Sequence, residues 1–426
     1  MRRVTFREAR RAAEIFLVAI RQLAPSMLHR RTRTAEALAP RVRAAVIALG
    51  PPFIKLSQLV SSSPGLFPTA ISDELRDLLD SAPPEPWEAI RHVIEQGLGA
   101  EVGALFASID PEPLAAASVA QVHAVRLLDG TRGVVKVRRP EVEERFLVDL
   151  RLLRVVARVA DRLWAEARVF NPVAIVDDVV TTLRRELDFT LEAEAMERFE
   201  RNLRAFGSNE LIRVPAVYEH LTVPAVLTME RIDGTKVDDL VGLQSTGFDL
   251  LERLKAGLRA WIEGACAHRF FHGDVHAGNL LLDHEGRVVF LDFGIVGELD
   301  ETTAELVRRG VVALLYFHDF VEVTNCLAEL GVHLGGDVSV ERAAAAIQRL
   351  AEPLFDRPVA AIDYQEILVG AVRMAAPHGV RMPRSLVLLA KQVLYFERYS
   401  KIIAPDYKIL ADSSLIRFMI DARPVG

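Results

Sequence analysis

The chain has 426 residues, of which 50% are hydrophobic and 26% are charged, and its formal net charge is −6 at pH 7. This length suffices for two or three domains with a large core, and the acidic balance argues against a nucleic-acid partner. The two cysteines, Cys266 and Cys326, lie too far apart for a disulfide framework or a zinc site, so we expect a protein of the reducing cytoplasm.

The first 45 residues are strongly basic. They contain eleven Arg and three Glu, a net charge of +8, and apolar residues such as Phe6, Phe16 and Ile20 recur at roughly helical spacing. Such a helix either lies on an anionic membrane surface or packs, with its charges solvated, against its own domain. No apolar run is long enough to span a membrane, and no secretory signal is evident. We therefore expect a cytoplasmic protein whose membrane contact, if any, is peripheral and on the inner face of the cell membrane.

Residues 1–110 are predicted to be mainly helical, with turns at Ser61–Gly65 and Pro83–Pro86. Lysine is rare in this chain, 7 residues against 45 arginines, so each lysine is informative. Lys55 lies in this helical region, within Gly50–Gln58.

Residues 111–140 are predicted to form two strands around a turn at Asp129–Gly130. Lys136 lies in the β-branched run Gly133–Val137, and a compact ammonium on a strand is suited to reaching phosphates. Taken alone, Lys136 is better explained as an edge-strand residue that faces solvent.

The small residues of Ala115–His123 lie where kinases carry a glycine-rich phosphate loop. Backbone N–H groups of this segment can bind phosphate, although alanine adopts positive φ less freely than glycine. By itself the segment is a small-residue turn. The predicted phosphate contacts are Ala115, Ala116, Ala117 and Ser118.

Residues 141–206 are predicted to form long helices. Glu186 and Glu192 are six positions apart and lie on different helical faces, so they need different partners. One of them is expected to pair with Lys136, and the other to face the phosphates. Without the neighbouring motifs, both would be ordinary solvated charges.

Two further strand-like runs follow, Ile212–Tyr218 and Val223–Ile232. The second resembles the strand that enters a kinase hinge, where backbone groups of Met229 and Glu230 would hydrogen-bond adenine. The alternative is a plain edge strand.

The most informative segment is His272–Asn279 followed by Leu291–Gly294. Asp274 is placed to take a proton from an acceptor hydroxyl, while Asn279 and Asp292 are placed to hold Mg²⁺ on ATP phosphates. His276 stands where many kinases carry a lysine, and it either donates to the transferring phosphoryl group or braces the loop.

This order of elements predicts an α+β, protein-kinase-like fold with two lobes. We assign residues 1–110 to a helical extension, 111–232 to a smaller lobe and 233–426 to a mostly helical lobe.

Together these motifs resemble the ABC1/UbiB family of atypical kinases, also called AarF-like. The likeness is carried by Lys55–Gln58, which is similar to a Lys-x-Gly-Gln motif, by the alanine-rich segment, and by Glu186 and Asp188 as a Glu-x-Asp motif. It extends from about residue 45 to the segment Ile403–Asp406.

The resemblance implies binding of ATP or ADP with Mg²⁺. It makes Lys136 the ATP lysine and Glu192 its helix partner, with Lys55 pointing into the pocket to pair with Glu186. It also implies an ATPase or small-molecule kinase that supports isoprenoid quinone biosynthesis or lipid homeostasis, with a quinone precursor or lipid as partner, rather than robust protein phosphorylation.

The sequence departs from the family pattern at several positions. Ser57 replaces a glycine, Ser61–Gly65 lacks an arginine and an aspartate, and Gly273 replaces the arginine of protein kinases. No Ala-Pro-Glu follows Asp292, so we expect no activation loop ordered by phosphorylation. Two alternative functions remain, namely a small-molecule kinase of the aminoglycoside or choline type and a nucleotide-gated scaffold without turnover.

Overall fold

A computed structural model describes most of the chain. The described residues are 6–28, 34–50, 53–54, 57, 69–76, 83–140, 142–163, 180, 184–207, 209–331, 339–363 and 384–421. The chain divides into two compact units. The first comprises Met1–Leu191 with Val217–Arg231, and the second comprises Glu192–Ala216 with Ile232–Gly426.

Helices make up most of the described chain. They are α1 (Phe6–Leu28), α2 (Ala35–Leu49), α3 (Thr69–Arg76), α4 (Trp87–Leu98), α5 (Val102–Leu105), α6 (Val142–Leu163), α7 (Phe189–Phe206), α8 (Leu240–Ser245), α9 (Leu250–Cys266), α10 (Glu301–Val312), α11 (Phe320–Glu329), α12 (Val340–Phe355), α13 (Arg384–Ile403) and α14 (Phe418–Asp421). Among these described helices, none is both long and apolar enough to cross a bilayer.

The strands are short by comparison. They are β1 (Phe106–Ala116), β2 (Ala120–Leu127), β3 (Arg132–Arg138), β4 (Ile212–Arg213), β5 (Val226–Glu230), β6 (Gly234–Lys236), β7 (Phe270–His272), β8 (Leu280–Asp283), β9 (Val288–Phe290) and β10 (Val296–Glu298).

The first unit is built on an antiparallel sheet with the order β1-β2-β3-β5. We predicted two strands in residues 111–140, whereas the structure has three strands, β1 to β3, between residues 106 and 138. The additional strand, β1, begins at Phe106 in a segment predicted to be helical. β1 contains Pro111 and Pro113, which weaken a strand signal in the sequence but are tolerated on an edge strand. Pairing with β2 therefore outweighs the weak local preference of β1.

One face of this sheet packs on α4. Ile90 and Ile94 are four residues apart, so they lie on the same face of that helix, and both are fully buried. They join Phe106, Val135 and Val226 in one apolar cluster. Helix α4 thus covers Val135 and Val137, the alternate positions of β3 that face it.

Helix α1 packs inside the first unit through Arg11. Its guanidinium donates to both carboxylate oxygens of Asp149 on α6, at 2.7 and 2.8 Å, and to the carbonyl of Leu49 at 2.7 Å. The hydrogen bonds to Asp149 raise the pKa of Arg11. The opposite side of α1 leaves Phe16, Leu17 and Ile20 exposed.

The second unit contains a sheet with the order β4-β9-β8-β6 and a separate pair of strands, β7 and β10. These strands are too short to give a periodic sequence signal, and β6, β7 and β10 were not predicted. Helices pack beside these strands: the ring of Trp261 on α9 lies 5.8 Å from that of Phe271 on β7 and 5.6 Å from that of Phe396 on α13.

Candidate active site

The hairpin of β8 and β9 brings the two predicted metal ligands together. Leu280 pairs with Phe290, and the N–H of Leu291 donates to the carbonyl of Asn279 at 2.8 Å. Asp292 is the next residue after Leu291. The ladder therefore places the Asn279 amide and the Asp292 carboxylate at the same end of the hairpin.

Asn279 also closes the loop that carries Asp274. Its amide nitrogen donates to the backbone carbonyl of Asp274 at 2.9 Å, and its own N–H donates to the carbonyl of His276 at 2.8 Å. Because the amide nitrogen is used in this way, the amide oxygen is directed to the other side. The side chain of Asn279 is buried, so its orientation is well defined.

His272 connects the loop that carries Asp274 to the strand end that precedes Asp292. Its Nδ1 accepts the N–H of Asp274 at 3.1 Å, and its Nε2 lies 2.8 Å from the carbonyl of Leu291, to which it donates. Burial lowers the pKa of this histidine, against smaller opposing contributions from Leu291 and nearby carboxylates. Both hydrogen bonds need the neutral ring with its proton on Nε2, so the lowered pKa and the geometry agree.

Asp292 adopts a backbone conformation that is uncommon for a residue with a side chain. Its φ is 45°, and its Oδ1 accepts the N–H of Gly294 at 3.1 Å. Phe293 is almost fully buried, with its ring 4.6 Å from that of His272 and 5.1 Å from that of Phe199. The packed phenyl ring holds the strained backbone, which in turn aims the Asp292 carboxylate.

Helix α13 holds the backbone of the loop His272–Asn279, which we call the catalytic loop, through a buried glutamine. Gln392 donates to the carbonyl of Gly273 at 2.6 Å and accepts the N–H of Val275 at 2.9 Å. A Cβ on Gly273 would lie 2.8 Å from Cδ2 of Leu388 on α13 and 3.1 Å from the carbonyl oxygen of Ile295, so a side chain there would displace Leu388.

Two further side chains donate to carbonyls of this loop. Tyr399 of α13 donates to Val275 at 2.8 Å, and Trp261 of α9 donates to His272 at 3.0 Å. Burial is the main cause that raises the pKa of Tyr399, so its hydroxyl stays a donor. Sequence reasoning missed Gln392, Tyr399 and Trp261, because other polar residues surround Gln392 and Tyr399 on α13 and no local pattern marks these two.

The Asp274 carboxylate has two basic neighbours. Nζ of Lys391 lies 2.9 Å from Oδ1, and Nε2 of His276 lies 3.8 Å from Oδ2. His276 is used mainly within the loop, because its Nδ1 accepts the N–H of Gly278 at 2.9 Å. Of the two roles considered for His276, bracing the loop is the one that this geometry favours.

The residues present fit a magnesium ion. Asn279 and Asp292 supply an amide oxygen and a carboxylate, which are the hard oxygen donors that Mg²⁺ prefers, and phosphates and water complete its usual shell. Within the described part of the chain, no cluster of three or more His, Cys, Asp or Glu could hold a metal by itself. The donor set therefore suits an ion that arrives with a nucleotide rather than a permanent metal centre.

In the first unit, Lys136 lies on an inner strand. It pairs with Val122 of β2 and with Leu227 of β5, and its ammonium lies 5.4 Å from the centre of the Phe189 ring. The simpler interpretation, an edge-strand lysine facing solvent, is wrong because β5 covers the other side of β3.

The alanine-rich segment forms a tight turn between β1 and β2. Ala115 and Ala116 end β1, in register with Val122 and Gln121, and the N–H of Ala117 donates to the carbonyl of Ala120 at 2.8 Å. Ser118 and Val119, at the tip, are buried. No residue of this turn has a positive φ, so alanine is accommodated where a more open loop would need glycine.

Arg139 holds this turn in place and was also missed from the sequence. Its Nε donates to the carbonyl of Ala117 at 2.7 Å, and its other nitrogens donate to Glu85 at 2.9 Å and to the carbonyl of Pro83 at 2.7 Å. Only 7% of the Arg139 side chain is exposed. The segment before α4 and the alanine turn are thereby joined by one buried guanidinium.

Comparison with known proteins decides the family. The model of the ABC1 atypical kinase-like domain matches residues 77–327, and that of the UbiB helical domain matches residues 347–408. The chain belongs to the ABC1 atypical kinase-like family. The resemblance inferred from the motifs is confirmed, and α13, which clamps the catalytic loop, lies in the UbiB helical domain.

This ABC1-family chain is similar to bacterial proteins, and the similarity extends over most of its length. It is 36% identical over 413 residues to a probable protein kinase UbiB of Pseudomonas putida strain GB-1, covering 95% of this chain and 75% of that one. It is 39% identical over 367 residues to an uncharacterized protein of Mycobacterium tuberculosis strain H37Rv, covering 86% and 75%.

A solved structure supports the predicted fold. A Mycobacterium tuberculosis protein in complex with erythromycin is 22% identical, covers 84% of this chain and 91% of its own, and superimposes with a TM-score of 0.56. With the family match, this confirms a kinase-like fold of mixed helices and sheets.

The other ABC1-family motif residues are placed as follows. Asp188 caps α7 by accepting the N–H and hydroxyl of Thr190 at 3.1 and 2.6 Å, which puts Glu192 in the first turn of that helix, where it is buried. Glu186 precedes this cap in the first unit. The pairing of Lys136 with a glutamate remains a prediction.

The hinge residues end a strand of the first unit. Met229 pairs with Val134 and Glu230 with Gly133, and the chain enters the second unit at Ile232. Their contact with adenine stays a prediction. Lys55 lies outside the described residues, as does most of its motif.

Proposed function

We propose that this protein transfers the γ-phosphoryl group of Mg-ATP to water or to a small acceptor, as an ATPase or atypical kinase of the ABC1/UbiB type. The observation that carries the proposal is the catalytic loop, in which Asp274, Asn279 and the residue before Asp292 are joined by direct hydrogen bonds. This arrangement is what phosphoryl transfer needs, since most of that catalysis is positioning and charge stabilisation.

The chain's own residues divide the work. Asp274 accepts the proton of the attacking hydroxyl, and neutral His272 holds the backbone N–H of Asp274 so that the carboxylate keeps its direction. Asn279 and Asp292 would hold Mg²⁺, which neutralises charge on the phosphates when it is bound. Lys136, on its inner strand, is the residue we assign to the phosphates from the first unit.

The physiological role that we propose is support of isoprenoid quinone biosynthesis or of lipid homeostasis. Relatives named as probable UbiB protein kinases, about one third identical over most of the chain, are the support for this assignment. The tight alanine turn favours a restrained enzyme, because a stiff turn adapts less to phosphate than a glycine loop does. The acceptor class would then be a quinone precursor or a lipid, or water alone.

We also propose that the protein docks peripherally on an anionic membrane through α1. Phe16 and Leu17 are 64% and 65% exposed and Ile20 is 47% exposed, whereas Arg11 on the other side of the helix is committed to Asp149. Exposed apolar side chains flanked by arginines are typical of helices that lie in a bilayer interface.

Turnover of ATP by the purified protein tests the catalytic proposal. We would measure phosphate release with Mg²⁺, with and without anionic liposomes and isoprenoid phenols, beside Asp274→Asn. Release that rises with lipid and is lost in the variant is the expected result. Binding of Mg-ATP without turnover under any condition would instead favour a nucleotide-gated scaffold. Turnover that is stimulated only by soluble amines or alcohols would favour a small-molecule kinase.

Liposome sedimentation tests the docking proposal. We expect the double variant Phe16→Ser/Leu17→Ser to weaken binding to anionic vesicles, while Val241→Ser, at an apolar residue of α8 that is 79% exposed, has no effect. Equal sedimentation of the α1 variant and the unaltered protein would remove α1 as the docking element.

A further inference from the structure

A lysine from helix α13 reaches the carboxylate that we assign as the catalytic base. Nζ of Lys391 lies 2.9 Å from Oδ1 of Asp274, and 28% and 20% of the two side chains are exposed. The two residues are 117 positions apart, and no motif in the sequence links them. The next residue, Gln392, is the glutamine that clamps the loop backbone, so α13 fixes the position of Lys391 closely relative to the loop.

The ion pair is not needed to dock the helix. Gln392 and Tyr399 already tie α13 to the loop through three buried neutral hydrogen bonds. A partly exposed ion pair contributes little to stability, because water screens its charges. A cation placed beside the catalytic carboxylate therefore calls for an explanation in terms of chemistry.

The loop itself offers no equivalent cation. Many kinases carry a lysine two positions after the catalytic aspartate, and this chain carries His276 there. His276 accepts the N–H of Gly278 with Nδ1, and its Nε2 is 3.8 Å from Asp274, which is beyond hydrogen-bonding distance. Lys391, at 2.9 Å from the same carboxylate, is the nearest ammonium that the described structure places at this position.

We propose that Lys391 is a catalytic residue that contacts the γ-phosphate of ATP while it orients Asp274. In the transfer, the acceptor oxygen forms a bond to the γ-phosphorus, and the bond from the γ-phosphorus to the oxygen bridging to the β-phosphate breaks, leaving its electron pair on ADP. The acceptor's proton passes to Asp274, and Lys391 neutralises charge on the γ-phosphoryl oxygens. This inference rests on the proposed phosphoryl transfer.

Lys391→Met tests it, with Lys391→Arg and Lys401→Met beside it. Lys401 lies on the same helix, is 34% exposed and pairs with Glu397 at 2.8 Å, so its loss removes a comparable ion pair away from the site. Affinities for Mg-ADP and for a non-hydrolysable Mg-ATP analogue would be measured by calorimetry, together with turnover and the melting temperature.

We expect Lys391→Met to lower the affinity for the ATP analogue by about tenfold or more, which is the effect of losing a charge-assisted hydrogen bond. The affinity for ADP should be unchanged. Turnover should fall by about a hundredfold or more. Lys391→Arg should recover part of the preference for ATP over ADP, and Lys401→Met should match the unaltered protein.

The two proposals fail in different ways. If the unaltered protein turns over ATP and Lys391→Met keeps both turnover and the preference for ATP, the role of Lys391 is refuted and phosphoryl transfer stands. If Lys391→Met lowers only the melting temperature, or lowers the affinities for the ATP analogue and for ADP equally, Lys391 has a structural role. If the unaltered protein binds no Mg-nucleotide, both proposals fall.

Discussion

The alanine turn of the first unit and the catalytic loop of the second unit are held in different ways. The turn joins β1 to β2, two strands that pair with each other, so neighbouring backbone supplies most of its hydrogen bonds. The catalytic loop has β7 before it and a short helical turn within it. Its backbone groups bond to its own side chains and to side chains from α9 and α13, up to 124 residues away.

The difference follows from the need to pair buried backbone groups. In a turn between adjacent strands, backbone groups pair across the two strands, whereas an irregular buried loop needs donors and acceptors from elsewhere in the chain. Arg139 and Gln392 are the counterparts in the two regions, each a single buried side chain that bonds several backbone groups. Replacing each in turn shows how far each region depends on its clamp.

The largest effect is expected at Asp292, the metal ligand that the hairpin of β8 and β9 places beside the catalytic loop. Asp292→Asn should abolish binding of Mg-nucleotide, because it removes the only carboxylate of the proposed donor pair and leaves an amide that binds Mg²⁺ weakly. Calorimetric titration with Mg-ATP measures this. Unchanged affinity in the variant would refute the assignment of the metal site.

Gln392→Ala should be the next most damaging change. It leaves the carbonyl of Gly273 and the N–H of Val275 buried without partners, which costs about 2–5 kcal/mol of the free energy of unfolding. Turnover should fall as well, since the loop loses its fixed position. Urea unfolding gives the stability, and Gln348→Ala, on an exposed face of α12, is the matched control. Full stability in Gln392→Ala would mean that α13 does not clamp the loop.

Arg139→Met should destabilise the first unit by about 2–4 kcal/mol, because it removes three hydrogen bonds of a buried guanidinium and leaves Glu85 uncompensated. Amide hydrogen exchange should then increase around the alanine turn and leave the catalytic loop protected. Arg126→Met, on the exposed side of β2, is the control. Faster exchange throughout both regions would contradict their separate support.

The smallest effect concerns pH and applies to both regions. Burial lowers the pKa of His123 beside the alanine turn and of His272 in the catalytic loop below the ordinary value of 6.5. Both are therefore neutral in the folded protein while the unfolded chain takes up protons as the pH falls through 6.5. Stability should be complete above this pH and should decline as the pH drops toward the folded pKa values. Urea unfolding from pH 8 to pH 5 tests the sign; a midpoint that rises on acidification would contradict it.

The family, the kinase-like fold and the catalytic loop could all be predicted from the sequence. Asp274, Asn279 and Asp292 stand in a short segment whose residue types and spacing are specific to one chemistry, and β8 and β9 around them form a simple hairpin. Local residue order is enough to bring such groups together. The long helices α6 and α7 were predicted for a similar reason, since their periodic apolar residues reflect burial of one face.

What supports those residues was decided only by the tertiary structure. Lys391, Gln392 and Tyr399 reach the catalytic loop because α13 packs across it, and Arg139 reaches Ala117 and Pro83 because the chain before α4 lies beside the alanine turn. Such contacts join residues that are distant in sequence, and a lone lysine, glutamine or arginine on a helix or after a strand has no local pattern that names its partner. The sequence by itself determined which groups form the candidate site, whereas the packing of distant helices determined how those groups are held.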